Sequence, residues 1–203
     1  ALTPGSTPVT IAERPFWAEV TSWSPDGVWI AFHEAATESS DDLYAVRTDG
    51  SGEVRPIATD QGRQFQAEIS PDGRWVAYVS ETSGRREIYI DAFPNLNARR
   101  QVTTGGGDQP QWVEDAEVTF VRGDTVFAQT VNLGSSFETV GRPLPLFHFS
   151  DQDFLFFPSY DYLFRYEASP DGQRFLVRVH RPETLAREGK VMTGWLEQLK
   201  GGS

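Results

Sequence analysis

The sequence predicts an all-β fold: a β-propeller of four-stranded antiparallel blades, with about four blades in the chain. Three observations carry this. A turn tetrapeptide recurs as Ser24-Pro25-Asp26-Gly27, Ser70-Pro71-Asp72-Gly73 and Ser169-Pro170-Asp171-Gly172, with a worn copy at Val113-Glu114-Asp115-Ala116. The copies are near-regularly spaced along the chain, and the last interval is the longest. Each copy is followed by a strand-like run: Val28 to Phe32, Arg74 to Tyr78, Glu117 to Val121 and Gln173 to Val177. A length of 203 residues, with 18 Gly and 13 Pro, accommodates about four such units.

The elements follow in order. Pro presets φ at about −65°, Asp bonds its own backbone and Gly accepts positive φ, so each tetrapeptide is a tight turn between strands. Trp75 and Ala77 alternate with Val76 and Tyr78, the period of a strand. A second strand pair completes each unit. It runs over Asp42 to Val46 and Val54 to Ala58 around the turn 49–52. The next copies run over Glu87 to Asp91 and Arg100 to Thr103, then Thr125 to Val131 and Pro143 to Phe147. The last unit shows three strands, Arg165 to Ala168, Arg174 to Val179 and Lys190 to Trp195. Pro8 to Ala12 is the candidate fourth, an N-terminal strand that closes the ring and removes open sheet edges. The expected organisation is a single propeller over 1–200, with blades about 15–60, 61–104, 105–148 and 164–200 plus the closing strand 8–12. An aromatic connecting segment spans 148–164 and a flexible tail 201–203. A larger ring, or a homodimer of partial rings, is the alternative to a closed monomer.

Composition narrows the chemistry. With no Cys there is no disulfide, no thiolate metal site and no cysteine nucleophile. A formal charge of −11 speaks against nucleic acid, whose phosphates need basic surface. The stretch Ala1 to Val20 lacks the basic start and apolar run of a signal peptide, and no run is long enough for membrane insertion.

The S-P-D-G-x-[WF]-[IVL]-A-[FY] repeat, with D-[LI]-Y-x-[VI] one strand later, resembles the TolB-like, WD-repeat-like β-propellers of bacteria. The likeness is greatest to the C-terminal propellers attached to some bacterial Ser/Thr protein kinases and transcriptional regulators. It is also carried by Gly105 to Trp112, Pro143 to Phe147 and Gly194 to Lys200, and it covers nearly the whole chain. It implies the fold, a bacterial protein, and an extracytoplasmic rather than cytoplasmic location. It implies no particular ligand, because such propellers share their turns and differ in what they bind.

No catalytic motif is present. There is no G-x-S-x-G elbow, no phosphate loop and no dinucleotide fingerprint; Gly105-Gly106-Gly107 reads as a crossover loop between blades. His33, His148 and His180 have no ligand spacing, and the acidic clusters at 38–42 and 151–153 lack the pattern of a calcium loop, so no metal or cofactor is expected. Asp26, Asp72 and Asp171 recur with every turn and are structural. Arg122-Gly123-Asp124 is a hairpin turn. Glu19, Gln66, Glu68, Gln109, Gln111 and Glu167 are expected along the axis. Among them Glu19, Glu68 and Glu167 are the carboxylates that a hydrolytic reading would use.

The anomaly is 147–166, where Phe and Tyr occupy nearly every second position. Connections this long are functional or disordered, and this composition is not that of disorder. The expected function is therefore a non-enzymatic interaction module that binds a protein or peptide on the loop face, as sensor or scaffold of a larger signalling protein. Its binding residues would be Trp17, Phe65, Asp108, Phe154, Phe156, Phe157, Tyr160 and Tyr162. The alternatives are an accessory, substrate-gating propeller of a prolyl-oligopeptidase-like hydrolase and a small carboxylate-dependent hydrolase.

Overall fold

The recurring turn is the local unit from which the sheets grow. In the first copy the Ser24 hydroxyl donates to Asp26 Oδ1 at 2.6 Å, the Val28 N–H donates to that same oxygen at 3.0 Å, and the Trp29 N–H donates to Ser24 Oγ at 2.8 Å. Gly27 closes the turn at φ 73°, which a Cβ would oppose. The bonds repeat at Ser70 and Ser169. The serine hydroxyl and then the backbone N–H hold the Asp26 and Asp171 carboxyls below the usual range. At Asp72 partial burial acts the other way, and the same bonds outweigh it. In the worn copy Glu114, which stands where the other copies have Pro, takes a positive φ of 55°.

The computed structural model describes residues 7–37, 40–114, 116–134, 138–148, 166–169, 171–180 and 187–193. Four antiparallel meanders follow one another along the chain. The first is β1 (Ala18–Trp23), β2 (Trp29–Thr37), β3 (Ser40–Arg47) and β4 (Val54–Ala58). The second is β5 (Gln64–Ile69), β6 (Trp75–Ser80), β7 (Glu87–Ala92) and β8 (Arg100–Gln101). The third is β9 (Asp108–Val113), β10 (Glu117–Arg122), β11 (Thr125–Asn132) and β12 (Glu138–His148). The fourth holds β13 (Tyr166–Ala168), β14 (Arg174–His180) and β15 (Arg187–Thr193). Arg122 pairs with Thr125 around Gly123-Asp124, the expected hairpin turn.

Alternation along each strand buries both faces of the second and third sheets. Val76 and Tyr78 face the first sheet, in a core with Ala31, Leu43, Ala45 and Ile57. Ala77 and Val79 face the third, against Trp112, Val118 and Phe120. The third sheet meets the fourth through Val121, Val126, Tyr166, Phe175 and Val177.

Two expectations need correction. Residues 8–12 form no strand and do not complete the fourth sheet, which has three strands among the described residues. Ile11 and Ala12 instead lie on the first sheet, against Ile30, Phe32 and Val46. The second blade's return strand is two residues long, because after Arg100–Gln101 the chain turns toward Glu87.

The turn bonds make a measurable contribution. Ser70 is fully buried and its hydroxyl serves two partners. Ser70→Ala is expected to cost about 1–2 kcal/mol in urea unfolding, as a half-buried N–H and a half-buried carboxylate lose their shared partner. A loss below about 0.3 kcal/mol would contradict the role given to the turn.

Candidate functional site

The starts of the innermost strands share one end of the molecule and bring Trp17, Phe65 and Asp108 to it. Trp17 precedes β1, and its carbonyl accepts the Ala35 N–H at 3.0 Å, which continues the β1–β2 ladder. Its ring is 56% exposed and rests edge-on against the imidazole of His33, centroids 5.5 Å apart. Phe16 beside it is also exposed. His33 is buried; burial foremost lowers its pKa, and the Arg63 charge also lowers it against the pull of Asp41. The imidazole under Trp17 is therefore neutral at pH 7, with Glu19 3.9 Å from its Nε2.

Phe65 was expected as a surface anchor, and the structure corrects this. Its ring is 0% exposed and belongs to the core between the second and third sheets. Above it lie two guanidinium groups, Arg63 at 5.1 Å and Arg86 at 5.2 Å from the ring centroid. Arg63 donates to the buried Asp41 at 2.7 Å. Arg86 sits between Glu81 at 3.2 Å and Asp108 at 3.5 Å. Asp108 stands at the start of β9 and holds the Arg86 cation. Phe154, Phe156, Phe157, Tyr160 and Tyr162 lie outside the described residues.

Sequence reasoning missed the hub behind this rim. Glu87 is fully buried. One carboxylate oxygen takes the Thr103 hydroxyl at 2.5 Å and the Gly106 N–H at 3.0 Å, and the other takes Arg85 Nε at 2.6 Å. This pins the crossover loop over β7. It also explains the glycine run, since a Cβ on Gly107 would stand 2.8 Å from Ile88 Cγ1. The signal was the acidic residue opening D-[LI]-Y-x-[VI], which occurs as Asp42 and Glu87.

Along the axis the expected polar residues form a seam rather than an open channel lining. Gln66, Gln109 and Gln111 are buried. The Gln109 N–H donates to Gln66 Oε1 at 2.9 Å, and the Ala168 N–H donates to Gln111 Oε1 at 2.6 Å. Gln66 and Gln109 adopt φ 54° and 55°, where each strand bulges to aim them inward. Burial pushes the Glu68 carboxyl up to about 8, with the nearby Glu167 charge a smaller contribution, although the Trp112 N–H bonded to it acts the other way. Burial also raises the Glu19 carboxyl. No cluster of His, Asp and Glu able to hold a metal ion occurs among the described residues.

Successive meanders stacked face to face and stitched along their first strands are the geometry of propeller blades, and known structures share it. The chain superposes on TolB from Acinetobacter baumannii with a TM-score of 0.64 at 19% identity, covering 94% of this chain and 44% of that one. The fold is an all-β arrangement of antiparallel propeller blades, similar to the propeller of TolB. A prolyl endopeptidase matches with a TM-score of 0.51 at 12% identity over 95% of this chain and 30% of that one. A putative TolB from Agrobacterium tumefaciens matches with a TM-score of 0.50 at 23% identity over 63% of this chain and 50% of that one. At these identities the likeness is one of fold. No family model matches the sequence. An uncharacterized protein of Agrobacterium fabrum is 28% identical over 86 residues, 42% of this chain and 29% of its own length. The chain thus spans half or less of the length of each of these proteins.

Proposed function

We propose that this chain is a non-enzymatic binding module that takes a protein or peptide ligand on its loop face, as the sensing or scaffolding part of a larger bacterial signalling protein. The observation that carries the reading is Trp17. A large, exposed ring is braced against a buried neutral imidazole, beside a rim whose cations are already ion-paired. Rigid aromatic anchors of this kind contribute disproportionately to interfaces. The paired rim offers directed polar contacts at little ordering cost. Phe16 extends the apolar surface, and Asp108 lies on the rim.

The axial carboxylates support this reading over a hydrolytic one. Glu68 links to the neighbouring blade through its backbone carbonyl, which accepts the Trp112 indole N–H at 3.0 Å, and Gln111 makes the next such link without any charge. A gating propeller of a peptidase is the second reading, favoured by the fold likeness to prolyl endopeptidases. It requires a catalytic domain in the same polypeptide or complex.

The test is a phage-displayed peptide library panned on the chain. Peptides enriched on the wild type are expected to lose at least tenfold in affinity on Trp17→Ala, with an unchanged far-ultraviolet circular dichroism spectrum. Equal retention by both proteins would overturn the assignment of Trp17.

A further inference from the structure

One constellation recurs through this fold: an aromatic ring, a carboxylate, and a guanidinium that lies over the first and pairs with the second. Arg14 stands 5.1 Å from the Tyr44 ring centroid and donates to Glu34 at 2.7 Å. Arg55 stands 4.8 Å from the Trp29 ring and pairs with Glu53 at 2.7 Å. Arg63 and Arg86 share the Phe65 ring and hold Asp41 and Asp108 respectively. The π face of the ring attracts the cation, and the carboxylate fixes its position through charge-assisted hydrogen bonds. Arginine suits both tasks, because its planar group stacks and donates at once.

Trp17 and Glu19 supply the first two parts without the third. Both lie against one imidazole: the Trp17 ring meets His33 edge-on, and Glu19 Oε2 lies 3.9 Å from His33 Nε2. That imidazole is buried and neutral at pH 7, so it does not compensate the carboxylate. Among the described residues no Arg or Lys stands within ion-pair distance of Glu19. Burial raises its carboxyl, and no neighbouring cation opposes the shift. The nearby carboxylates are already served, Glu34 by Arg14 and Asp41 by Arg63. The place is the junction of the first and second blades. His33 pairs across its sheet with both Glu19 and Leu43, and Leu43 belongs to the core between those two blades. Asp41 and Arg63, bonded across the same junction, are close enough to act on His33. The exposed Val20 and Trp23 pair instead with Phe32 and Ile30, on the opposite face of the sheet.

We infer that the ligand taken at Trp17 presents an arginine side chain, whose guanidinium stacks on the Trp17 ring and donates to the Glu19 carboxylate. This rests on the reading of Trp17 as the binding anchor and names the chemistry that the anchor selects. Charge complementarity decides the class. The cations of the rim are held by their own carboxylates, so an anionic group finds no partner there, whereas Glu19 carries a charge that nothing beside it balances. Tryptophan is also the strongest of the aromatic rings toward a cation. The ligand thereby completes at this junction the arrangement that Arg14, Arg55, Arg63 and Arg86 complete elsewhere within the chain.

The probe is Nα-acetyl-arginine N-methylamide, and its citrulline analogue, which keeps the shape and loses the charge, is the control. In heteronuclear NMR of the whole chain, the Trp17 indole signal is identified by its loss in Trp17→Phe. That signal is expected to titrate with the arginine amide, and the citrulline amide should bind about fivefold or more weakly. Glu19→Gln should weaken the arginine amide by a similar factor and Glu19→Lys should abolish its binding, each with the circular dichroism spectrum retained. An equal response to the two amides, or undiminished binding of the arginine amide by the Glu19 variants, overturns the inference. Peptides enriched from the displayed library separate it from the reading beneath it. Peptides that lose affinity on Trp17→Ala yet contain no arginine, or tolerate citrulline in its place, leave Trp17 as an anchor and refute the guanidinium. Peptides indifferent to Trp17→Ala refute the anchor itself.

Discussion

Replacing Phe65 by Ala is expected to lower the unfolding free energy by about 3–5 kcal/mol, among the largest effects of any single truncation in the chain. Phe65 is fully buried at the junction of the second and third blades, with Val79, Ile88, Trp112 and Phe120 in the same core. Removing the ring forfeits its transfer free energy and leaves a cavity whose walls belong to two different sheets, so it cannot collapse by a local shift. It also removes the surface on which Arg63 and Arg86 stack. Their carboxylate partners, Asp41 and Asp108, would then hold less ordered cations, and the loop face would loosen with the core. Urea unfolding followed by tryptophan fluorescence measures the loss. The comparison with Trp17→Ala is informative, because that exposed ring should cost less than about 1 kcal/mol. A Phe65→Ala effect as small as that of Trp17→Ala would return Phe65 to the surface role that the sequence suggests.

The contrast between these two aromatics shows where sequence reading stops. The repeat made the blades legible, because turn chemistry and strand alternation are local properties that recur at Ser24, Ser70 and Ser169. It also located the inner strands, and hence the end at which Trp17, Phe65 and Asp108 meet. Alternation alone cannot tell which face of an inner strand meets a neighbouring blade, so Phe65 and Trp17 looked alike. The axial glutamines posed the same difficulty. Polar residues on the innermost strands suggested a channel lining, whereas bulges at Gln66 and Gln109 turn them into links between blades. Closure by residues 8–12 was an expectation of symmetry. What the structure forms is the contact of Ile11 and Ala12 with the first sheet, without the strand pairing.

Glu68→Gln is expected to stabilise the protein by about 1–3 kcal/mol at pH 8, and by little at pH 4. The Glu68 carboxyl has its folded-state pKa pushed from an ordinary 4.5 to about 8, by burial first and the Glu167 charge second. Between those values the native state holds a proton that the unfolded chain has released. Stability from this group is therefore complete below about 4.5, falls as pH rises, and is lost once pH passes about 8. The full shift corresponds to more than the figure given, but water reaches the partly accessible side chain and softens it. Glutamine removes the titration and keeps a polar side chain of the same size in the seam, the residue type that Gln111 supplies one junction later. Other groups do not obscure the difference. His33 charges more readily in the unfolded chain, which favours the fold as pH rises through its ordinary 6.5, but equally in both proteins. The depressed turn aspartates lose their contribution only in acid, as pH falls through their folded-state values. Thermal unfolding of wild type and Glu68→Gln across pH 4 to 8.5 should thus give two curves that coincide in acid and diverge above about pH 5, with the variant higher. Parallel curves would mean that Glu68 is ionised in the folded protein, and that the seam between the second and third blades carries a charge.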